Sequence, residues 1–289
     1  MQKSHEKAVE DSRDVLLRAI GEPDDLTFIR LYGNIGDELI YAGTRQLLAR
    51  RFYKEVSFRS LDGVSGHTAL VAGGGGWCGP YHYMVEYLPA IETKFERVII
   101  LPSSFDVSVP SVRSTLAATK ALVFARERKS FNGICRLCNA KLAYDCAFFF
   151  DYRPYLRHGE GCLVSYRIDA ETALSEVPES NLDISYSCSS LDEWLWTIAR
   201  HAVVKTDRAH VMIAAALLGK VVDYWTSSYH KVPSIADYAL KSFPVRRIEP
   251  EKTIMGTHIR SSSERQREFV AGPLHSQIGV DTRSTDFSG

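Results

Sequence analysis

Strand-like and helix-like segments alternate along this chain, and that alternation constrains its fold more than any other feature. In the first half, runs rich in β-branched and aromatic residues indicate strands at 26–32, 56–61, 68–74, 97–104 and 121–127. Segments with apolar residues at helical spacing lie between or after them, at 37–52, 82–95, 110–119 and 128–137, and residues 140–150 complete this half. Strands that alternate with helices predict an α/β fold with a parallel, helix-covered sheet.

The segment 151–161 mixes Pro, Gly and charged residues and interrupts the alternation, so we place a domain boundary there. A second alternation follows, with strand-like runs at 162–167, 184–190, 202–207 and 221–225 and helix-like segments at 191–200 and 209–219. We therefore predict two doubly wound domains, at 1–155 and 160–250, with the carboxyl ends of their parallel sheets facing a cleft where ligands bind. Residues 251–289 lose periodicity and gain Ser, Arg and Gly, which predicts a tail that is mobile or packs back.

Charge and composition narrow the classes of function. The chain has 289 residues with 35 Lys and Arg against 35 Asp and Glu, so nothing favours nucleic acid as a partner. Its apolar runs, such as 211–219, are shorter than the roughly 20 residues of a spanning helix, and the charged N-terminus lacks the apolar core of a signal peptide. We expect a cytoplasmic protein with free thiols. Cys135 and Cys138 lack a second pair at zinc-site spacing, so we expect no metal.

The first candidate site is the turn at 31–40, where a strand gives way to a helix. Gly33 and Gly36 permit close backbone approach, Asn34 lies between them, and Asp37 is suited to cap the helix. The unpaired amides of the helix start can hold an anion or a sugar hydroxyl. A tight turn with a capped helix explains the same residues, and both interpretations stay open.

The second candidate is the glycine-rich stretch 71–80, with four consecutive glycines that packing does not readily justify. Its G-x-G-x-x-G spacing follows the third strand rather than the first, and no acidic residue ends the next strand, which disfavours a dinucleotide enzyme. We interpret the stretch as a loop that brings bare backbone against a substrate. The residues expected to contact that substrate are Gly74, Gly75 and Gly76, with Trp77 as a stacking face and the hydroxyls of Ser103 and Ser104 nearby.

Cationic residues mark the second half. Arg167 follows one strand, and Arg208 and His210 follow another, directly before an apolar helix. Two guanidinium groups beside a helix start suit a compact dianion, and a histidine there could carry a proton. Lys231, in a loop after a further strand, could also reach the anion or could be merely solvated. For each residue alone, a structural ion pair or a capped helix is the competing interpretation.

Several stretches in this order resemble the polysaccharide pyruvyl transferase family. They are "GNIGDELI" at 33–40, "AGGGGW" at 72–77, "LPSS" at 101–104, "FARERKS" at 124–130, "DCAF" at 145–148, and the segment from "TDRAH" at 206–210 to "SSYHK" at 227–231. The resemblance covers about residues 26–240. The last 40 or so residues match nothing in that pattern, which leaves the acceptor contacts open.

The resemblance implies two Rossmann-like domains in a GT-B-like arrangement, with the acceptor on the N-terminal side and phosphoenolpyruvate on the C-terminal side. It implies transfer of a pyruvyl group to two hydroxyls of a sugar, as a ketal, during polysaccharide biosynthesis, with phosphoenolpyruvate as donor substrate and no cofactor. By resemblance, Arg208 and His210 bind the donor and Arg167 assists them. Asp37 is a weaker candidate for orienting or deprotonating an acceptor hydroxyl.

The resemblance also implies an acceptor on a lipid carrier, so we expect the protein to work at the inner face of the membrane, with the tail as a candidate surface contact through Arg260, Arg265, Arg267, Phe269 and Val270. Two other functions stay open. One is a glycosyltransferase of the same architecture that uses a nucleotide sugar, and the other is a non-catalytic phosphosugar-binding protein. The acceptor sugar, its hydroxyl positions and the oligomeric state are not encoded in these patterns.

Overall fold

A computed structural model describes residues 2–248, with side chains from residue 4 onward. These residues belong to one compact unit, Met1–Pro250. The predicted tail at 251–289, with its proposed membrane contact, lies outside the described residues.

The first sheet has seven strands, and all its pairs are parallel. The strands are β1 (Leu26–Arg30), β2 (Lys54–Ser57), β3 (Gly66–Val71), β4 (Gly74–Trp77), β5 (Phe95–Phe105), β6 (Leu122–Ala125) and β7 (Asn139–Leu142). Their order is β2-β1-β3-β5-β6-β7, and the short β4 also pairs with β5. Phe28 of β1 lies opposite Leu70 of β3, which lies opposite Ile99 of β5, and all three side chains are buried. Runs of buried apolar residues are typical of a parallel sheet covered on both faces.

Five helices accompany this sheet: α1 (Gln2–Ile20), α2 (Ile35–Leu47), α3 (Met84–Lys94), α4 (Pro110–Ala118) and α5 (Arg128–Ile134). The apolar residues Leu16 and Ile20 of α1 and Leu88 and Ile91 of α3 belong to the same buried cluster as the sheet residues. Their spacing of three or four residues puts them on one helix face, which explains why these helices pack on the sheet.

The second sheet has four parallel strands: β8 (Cys162–Ser165), β9 (Val203–Thr206), β10 (Val221–Tyr224) and β11 (Val245–Arg247), in the order β11-β10-β9-β8. The accompanying helices are α6 (Ile184–Ser187), α7 (Leu191–Ala199), α8 (Ala209–Leu217) and α9 (Lys231–Ala239). Helix α8 is apolar all round and almost wholly buried. Leu39 of α2 belongs to the same hydrophobic cluster, so the core of this sheet also includes side chains from the first half of the chain.

The parallel α/β architecture confirms the fold class, and a large parallel sheet flanked by helices is consistent with a Rossmann-like, GT-B-like fold. Residues 151–161 run between the two sheets, with a 3₁₀ turn at Arg153–Tyr155. The division into separate domains stays a prediction.

Three local predictions were wrong. Residues 184–190 begin with the short helix α6 instead of a strand, because the Asp183 side chain accepts a hydrogen bond from the Ser185 N–H and starts a helical turn. The strand predicted at 56–61 is β2, which ends at Ser57, where a 3₁₀ turn begins. The glycine-rich stretch at Gly74–Trp77 is a strand paired with β5 rather than a loop.

Candidate functional site

A pocket of about 420 Å³ opens where strands of both sheets end. This volume lies within the range of roughly 300–1,000 Å³ that is usual for small-molecule sites. Its walls come from the segments after β1, β6, β8 and β9, from β4 and from the start of α9. The predicted site residues that line it are Gly33, Asn34, Gly36, Asp37, Gly75, Gly76, Arg167, Arg208, His210 and Lys231. The carboxyl ends of both sheets therefore meet at one pocket, as the alternation of elements indicated.

The turn after β1 is organised by a capping box. The Asn34 side chain accepts from the Gly36 N–H at 2.8 Å, and the Asn34 N–H donates to Oδ2 of Asp37 at 2.9 Å. Helix α2 therefore begins at Ile35 with Asn34 as its N-cap, and Asp37, which was predicted to cap the helix, takes part in the capping box as the third residue of the helix. A Cβ at residue 33 would lie 2.3 Å from Oδ2 of Asp37, so Gly33 leaves room for this carboxylate to fold back.

His210 lies in the first turn of α8, directly opposite the start of α2. Its Nδ1 is 3.8 Å from Oδ1 of Asp37, and its Nε2 is 3.2 Å from Nη1 of Arg126. A Cβ at residue 36 would lie 3.3 Å from the His210 ring, so Gly36 permits the two helix starts to approach closely. Two helix N-termini, each with partial positive charge, thus converge on the pocket and favour an anion there.

Arg126 and Asp145 form a buried ion pair behind His210. Nη1 of Arg126 donates to Oδ2 of Asp145 at 2.7 Å, and Nε donates to the Ser104 hydroxyl at 2.8 Å. Burial would raise the pKa of Asp145, but its interaction with His210, 3.5 Å away, and the charge of Arg126 hold that pKa well below its usual range. Neither residue was given a role from sequence. The position of Arg126 directly after a buried strand could have indicated a site residue. Asp145 precedes a 3₁₀ turn that it caps.

Arg167 and Arg208 meet at one carboxylate. Nε of Arg167 donates to Oδ1 of Asp169 at 2.7 Å, and Nη2 of Arg208 donates to Oδ2 of the same residue at 3.0 Å. Arg208 also binds Asp183 through Nε and Nη2, at 2.6 Å each, and Nη1 of Arg167 contacts Glu171. The sequence placed the two arginines together correctly. The competing interpretation of structural ion pairs also holds, because acidic side chains pair with both guanidinium groups.

These pairings shape the pKa values of the carboxylates. Burial would raise the pKa of Asp169, but hydrogen bonding from Arg167 and the charges of both arginines lower it to about 2. Asp207 is different: it is fully buried, and burial outweighs its hydrogen bond from the Arg167 N–H and raises its pKa to about 7. Asp169 is therefore anionic near neutral pH, whereas Asp207 titrates there.

Lys231 is the first residue of α9, not a loop residue, and it is buried. Its Nζ donates to Oε2 of Glu171 at 2.7 Å, and burial lowers its pKa despite that partner. The interpretation of Lys231 as merely solvated is therefore wrong. Nζ also lies 3.6 Å from the Cβ position of Gly75, so β4 of the first sheet and α9 of the second half meet at the pocket wall.

Four predicted contacts do not line this pocket: Gly74, Trp77, Ser103 and Ser104. Trp77 is only 1% exposed and packs against Phe105 with ring centroids 5.5 Å apart, so it cannot serve as a stacking face for a substrate. The Ser103 hydroxyl donates to the Leu101 carbonyl, while Ser104 holds Arg126 from behind. The physical reason is that the paired strands β4 and β5 are buried in the core.

Packing explains most of the glycine run after all. A Cβ at residue 73 would lie 2.2 Å from the Pro102 carbonyl oxygen, and one at residue 76 would lie 2.9 Å from the Tyr83 ring. Gly74 has a φ of +135°, which other residues rarely adopt. At Gly75 a Cβ would meet only ordinary contacts, so that position alone leaves space toward the pocket that packing does not require.

Four buried cationic side chains line the pocket, and each has a carboxylate partner. Arg126 pairs with Asp145, Arg167 with Asp169 and Glu171, Arg208 with Asp183 and Asp169, and Lys231 with Glu171. In the described part of the chain, no group of three or more His, Cys, Asp or Glu side chains could hold a metal ion. The expectation that no metal or cofactor takes part stays a prediction.

Within residues 2–248, no helix is both long and apolar enough to cross a membrane.

Comparison with known proteins agrees with these observations. A crystal structure of a functionally uncharacterised protein from Klebsiella pneumoniae superposes with a TM-score of 0.68 at 25% sequence identity, covering 83% of this chain and 98% of that one. No curated protein matches the chain. The profile of the polysaccharide pyruvyl transferase family matches residues 34–222, which include the α2 turn, the β4 glycines, Arg126, Asp145 and the arginines beside His210. Because this match spans well over half of the chain and includes most of the pocket residues, the chain belongs to the polysaccharide pyruvyl transferase family.

Proposed function

We propose that the protein transfers a pyruvyl group from phosphoenolpyruvate to two hydroxyls of a saccharide and forms a pyruvate ketal. Membership of the family supports a transferase with a pyruvyl transfer role in polysaccharide biosynthesis. The observation that carries the finer proposal is His210, which lies in one pocket with Arg167, Arg208 and Lys231 where two helices begin. A proton carrier beside several cations fits a donor that has a phosphate, a carboxylate and an enol carbon to be protonated.

The donor would bind by displacing the Asp169 carboxylate from the two arginines. Asp169 now occupies Nε and Nη2 of Arg167 and Nη2 of Arg208, and it presents the same planar acceptor that the phosphate or carboxylate of phosphoenolpyruvate presents. Among the residues that the structure describes, none accepts a hydrogen bond from Nη1 of Arg208. This group therefore has donor capacity left for the substrate.

In the proposed reaction, a proton adds to C3 of phosphoenolpyruvate and positive charge develops at C2. One sugar oxygen forms a bond to C2, the bond from C2 to the phosphate oxygen breaks, and the second sugar oxygen takes the vacated position. Of the two hydroxyl protons, one balances the new C–H bond and the other leaves with inorganic phosphate. Arg167, Arg208 and Lys231 would neutralise the departing phosphate.

His210 is the proposed proton donor to C3, and Asp37 is the proposed base for the acceptor hydroxyl. The two side chains face each other in the pocket with Nδ1 and Oδ1 3.8 Å apart, which is longer than a hydrogen bond, so each would act on its own substrate group. Arg126 and Asp145 would hold the ring of His210 from behind, through its Nε2.

The test is phosphate release from phosphoenolpyruvate with a panel of saccharides, each in soluble and lipid-linked form. We expect phosphate release to depend on the acceptor and to be faster with a lipid-linked acceptor. That result would support activity of the protein at the membrane surface. His210→Ala should lower kcat by roughly 100-fold, because general acid catalysis acts mainly in the transition state, while donor affinity measured by calorimetry changes less.

The matched control is His158→Ala, which removes an exposed histidine outside the pocket and should leave turnover unchanged. Near-normal turnover in His210→Ala would place the proton donor elsewhere. Phosphoenolpyruvate binding without phosphate release, across the whole panel, would favour a non-catalytic binding protein. Equal rates on soluble and lipid-linked acceptors would contradict the lipid carrier.

A further inference from the structure

Two tyrosine side chains line the pocket and yet remain largely exposed. Tyr32, which follows β1, is 61% exposed, and Tyr186, in α6, is 55% exposed. They come from the first and the second half of the chain. The predicted stacking residue, Trp77, is by contrast buried, and Tyr81, which also lines the pocket, is only 38% exposed, so Tyr32 and Tyr186 are the most exposed aromatic faces of the pocket.

Each exposed ring is held by an arginine rather than by burial. The guanidinium carbon of Arg59 lies 5.0 Å from the centroid of the Tyr32 ring, and that of Arg208 lies 5.2 Å from the Tyr186 ring. The backbone at Tyr32 is fixed as well, since the Tyr83 hydroxyl donates to its carbonyl at 2.8 Å. Cation–π contacts of this kind orient a ring at little cost in exposed area. The rings are therefore ordered before a ligand arrives, which reduces the entropy cost of binding.

Hydrogen-bond acceptors follow Tyr32 closely in the chain. Asn34, Asp37 and Glu38 line the same pocket, and the Glu38 carboxylate is partly exposed, 4.0 Å from Nη1 of Arg30. An aromatic face beside carboxylate and amide oxygens suits a sugar, because the C–H face of the sugar packs on the ring while its hydroxyls donate to the oxygens. A nucleotide base could also stack there, but its phosphates would face Asp37 and Glu38, where like charges repel.

We propose that Tyr32 and Tyr186 form the saccharide-binding platform of the pocket, with a sugar ring stacked on Tyr32 and its hydroxyls bound by Asp37 and Glu38. That the bound sugar is the acceptor rests on the proposed function. The binding itself does not, because it requires no donor and no turnover. The geometry puts the stacked sugar next to Asp37, the proposed base, and Tyr186 beside Arg208 at the donor side of the same pocket.

The test measures sugar binding by saturation-transfer NMR on the full chain, without phosphoenolpyruvate. The probes are methyl glycosides of glucose, galactose, mannose and their N-acetylamino forms, together with the corresponding disaccharides. We expect at least one probe to bind, with Tyr32→Ala weakening it by about 10-fold, as the loss of one stacking face implies. Tyr32→Phe should retain affinity because it keeps the ring, and Tyr186→Ala should weaken the disaccharides.

The matched control is Phe52→Ala, which removes a ring that is 97% exposed but does not line the pocket. Its affinity for every probe should equal that of the wild type. The proposal is overturned if no probe binds the wild type, or if Tyr32→Ala and Tyr186→Ala both bind as the wild type does. Binding that depends on Tyr32 in a protein that never releases phosphate would uphold the platform and reject the pyruvyl transfer.

Discussion

Asp169 is the carboxylate on which Arg167 and Arg208 converge, and it defines the site at the scale of single residues. Its two oxygens take hydrogen bonds from both guanidinium groups, while Asp183 takes two more from Arg208. The four side chains are each at most 9% exposed. A buried ion pair is costly to break by removing one partner, because the remaining charge loses its compensation. The arginines of this pocket therefore have a structural role as well as the proposed catalytic one.

Replacement of Arg208 by Ala should consequently destabilise the protein. We expect the free energy of unfolding to fall by about 3–5 kcal/mol, because Asp183 would stay buried without its partner. Urea unfolding followed by circular dichroism measures this change. The double variant Arg208→Ala, Asp183→Ala should recover part of the lost stability, since it removes the stranded carboxylate.

The matched control is Arg153→Ala. Arg153 also binds a carboxylate through two nitrogens, at 2.7 Å each to Asp151, but its side chain is exposed. Its removal should change stability little, because water replaces an exposed partner. If Arg208→Ala were as stable as Arg153→Ala, the buried network would not be the stabilising feature described above.

At the scale of elements, β4 connects the glycine run to the pocket. The strand pairs with β5, and its Gly75 faces Lys231 of α9. The family resemblance implied an acceptor on the N-terminal side, where these glycines lie in the sequence. The structure brings Gly75 next to Lys231, a cation proposed for the donor, so under the proposed function this glycine would lie at the boundary of the two sides.

The glycines at 73 and 75 should respond differently to substitution. Gly73→Ala should cost about 1–3 kcal/mol of stability, because the new Cβ would meet the rigid Pro102 carbonyl at 2.2 Å and the strand must shift. Gly75→Ala should fold normally, since its Cβ would lie 3.6 Å from Lys231 and 3.7 Å from Tyr229.

Melting curves of the two variants provide the measurement, with each variant serving as the control for the other. Equal melting temperatures would show that β4 can move away from β5. That result would contradict the close pairing on which this difference depends.

At the scale of the whole molecule, the pocket is built by two sheets, and its ligand should therefore stabilise the entire unit. Phosphoenolpyruvate should raise the melting temperature, with a stabilisation of about 2.7 kcal/mol at 100 times its dissociation constant. UDP- and GDP-sugars should produce a smaller shift, because the position that Asp169 occupies between Arg167 and Arg208 suits one compact anion.

Differential scanning fluorimetry measures this comparison, with pyruvate and inorganic phosphate added separately as controls for the two halves of the donor. A larger shift with a nucleotide sugar than with phosphoenolpyruvate would contradict the proposed donor. It would favour the glycosyltransferase that the sequence left open.

Much of the site was predictable from sequence because of one geometric rule. In a parallel sheet all strands end at the same edge, so residues that follow strands, such as Asp37, Arg167, Arg208 and His210, meet there whatever their separation in the chain. Hydrophobic periodicity located most strands and helices of the pattern, since one buried face repeats at a fixed spacing, but it gave no prediction of α1 or α9. It failed at residues 184–190, where the Asp183 cap starts a helix that apolar pattern alone does not indicate.

The sequence by itself thus determined the parallel α/β fold, the edge where the pocket lies and the residue types around it. Only the tertiary structure decided that Asp169, Asp183 and Glu171 pair with the cations, that Arg126 and Asp145 support His210, and that Trp77 is buried while Tyr32 is exposed. The physical reason is the separation along the chain between the residues that interact. Spacing along a chain fixes neighbours within one helix or strand, whereas the partner of a buried charge or ring comes from a segment tens of residues away, selected by packing of the whole molecule.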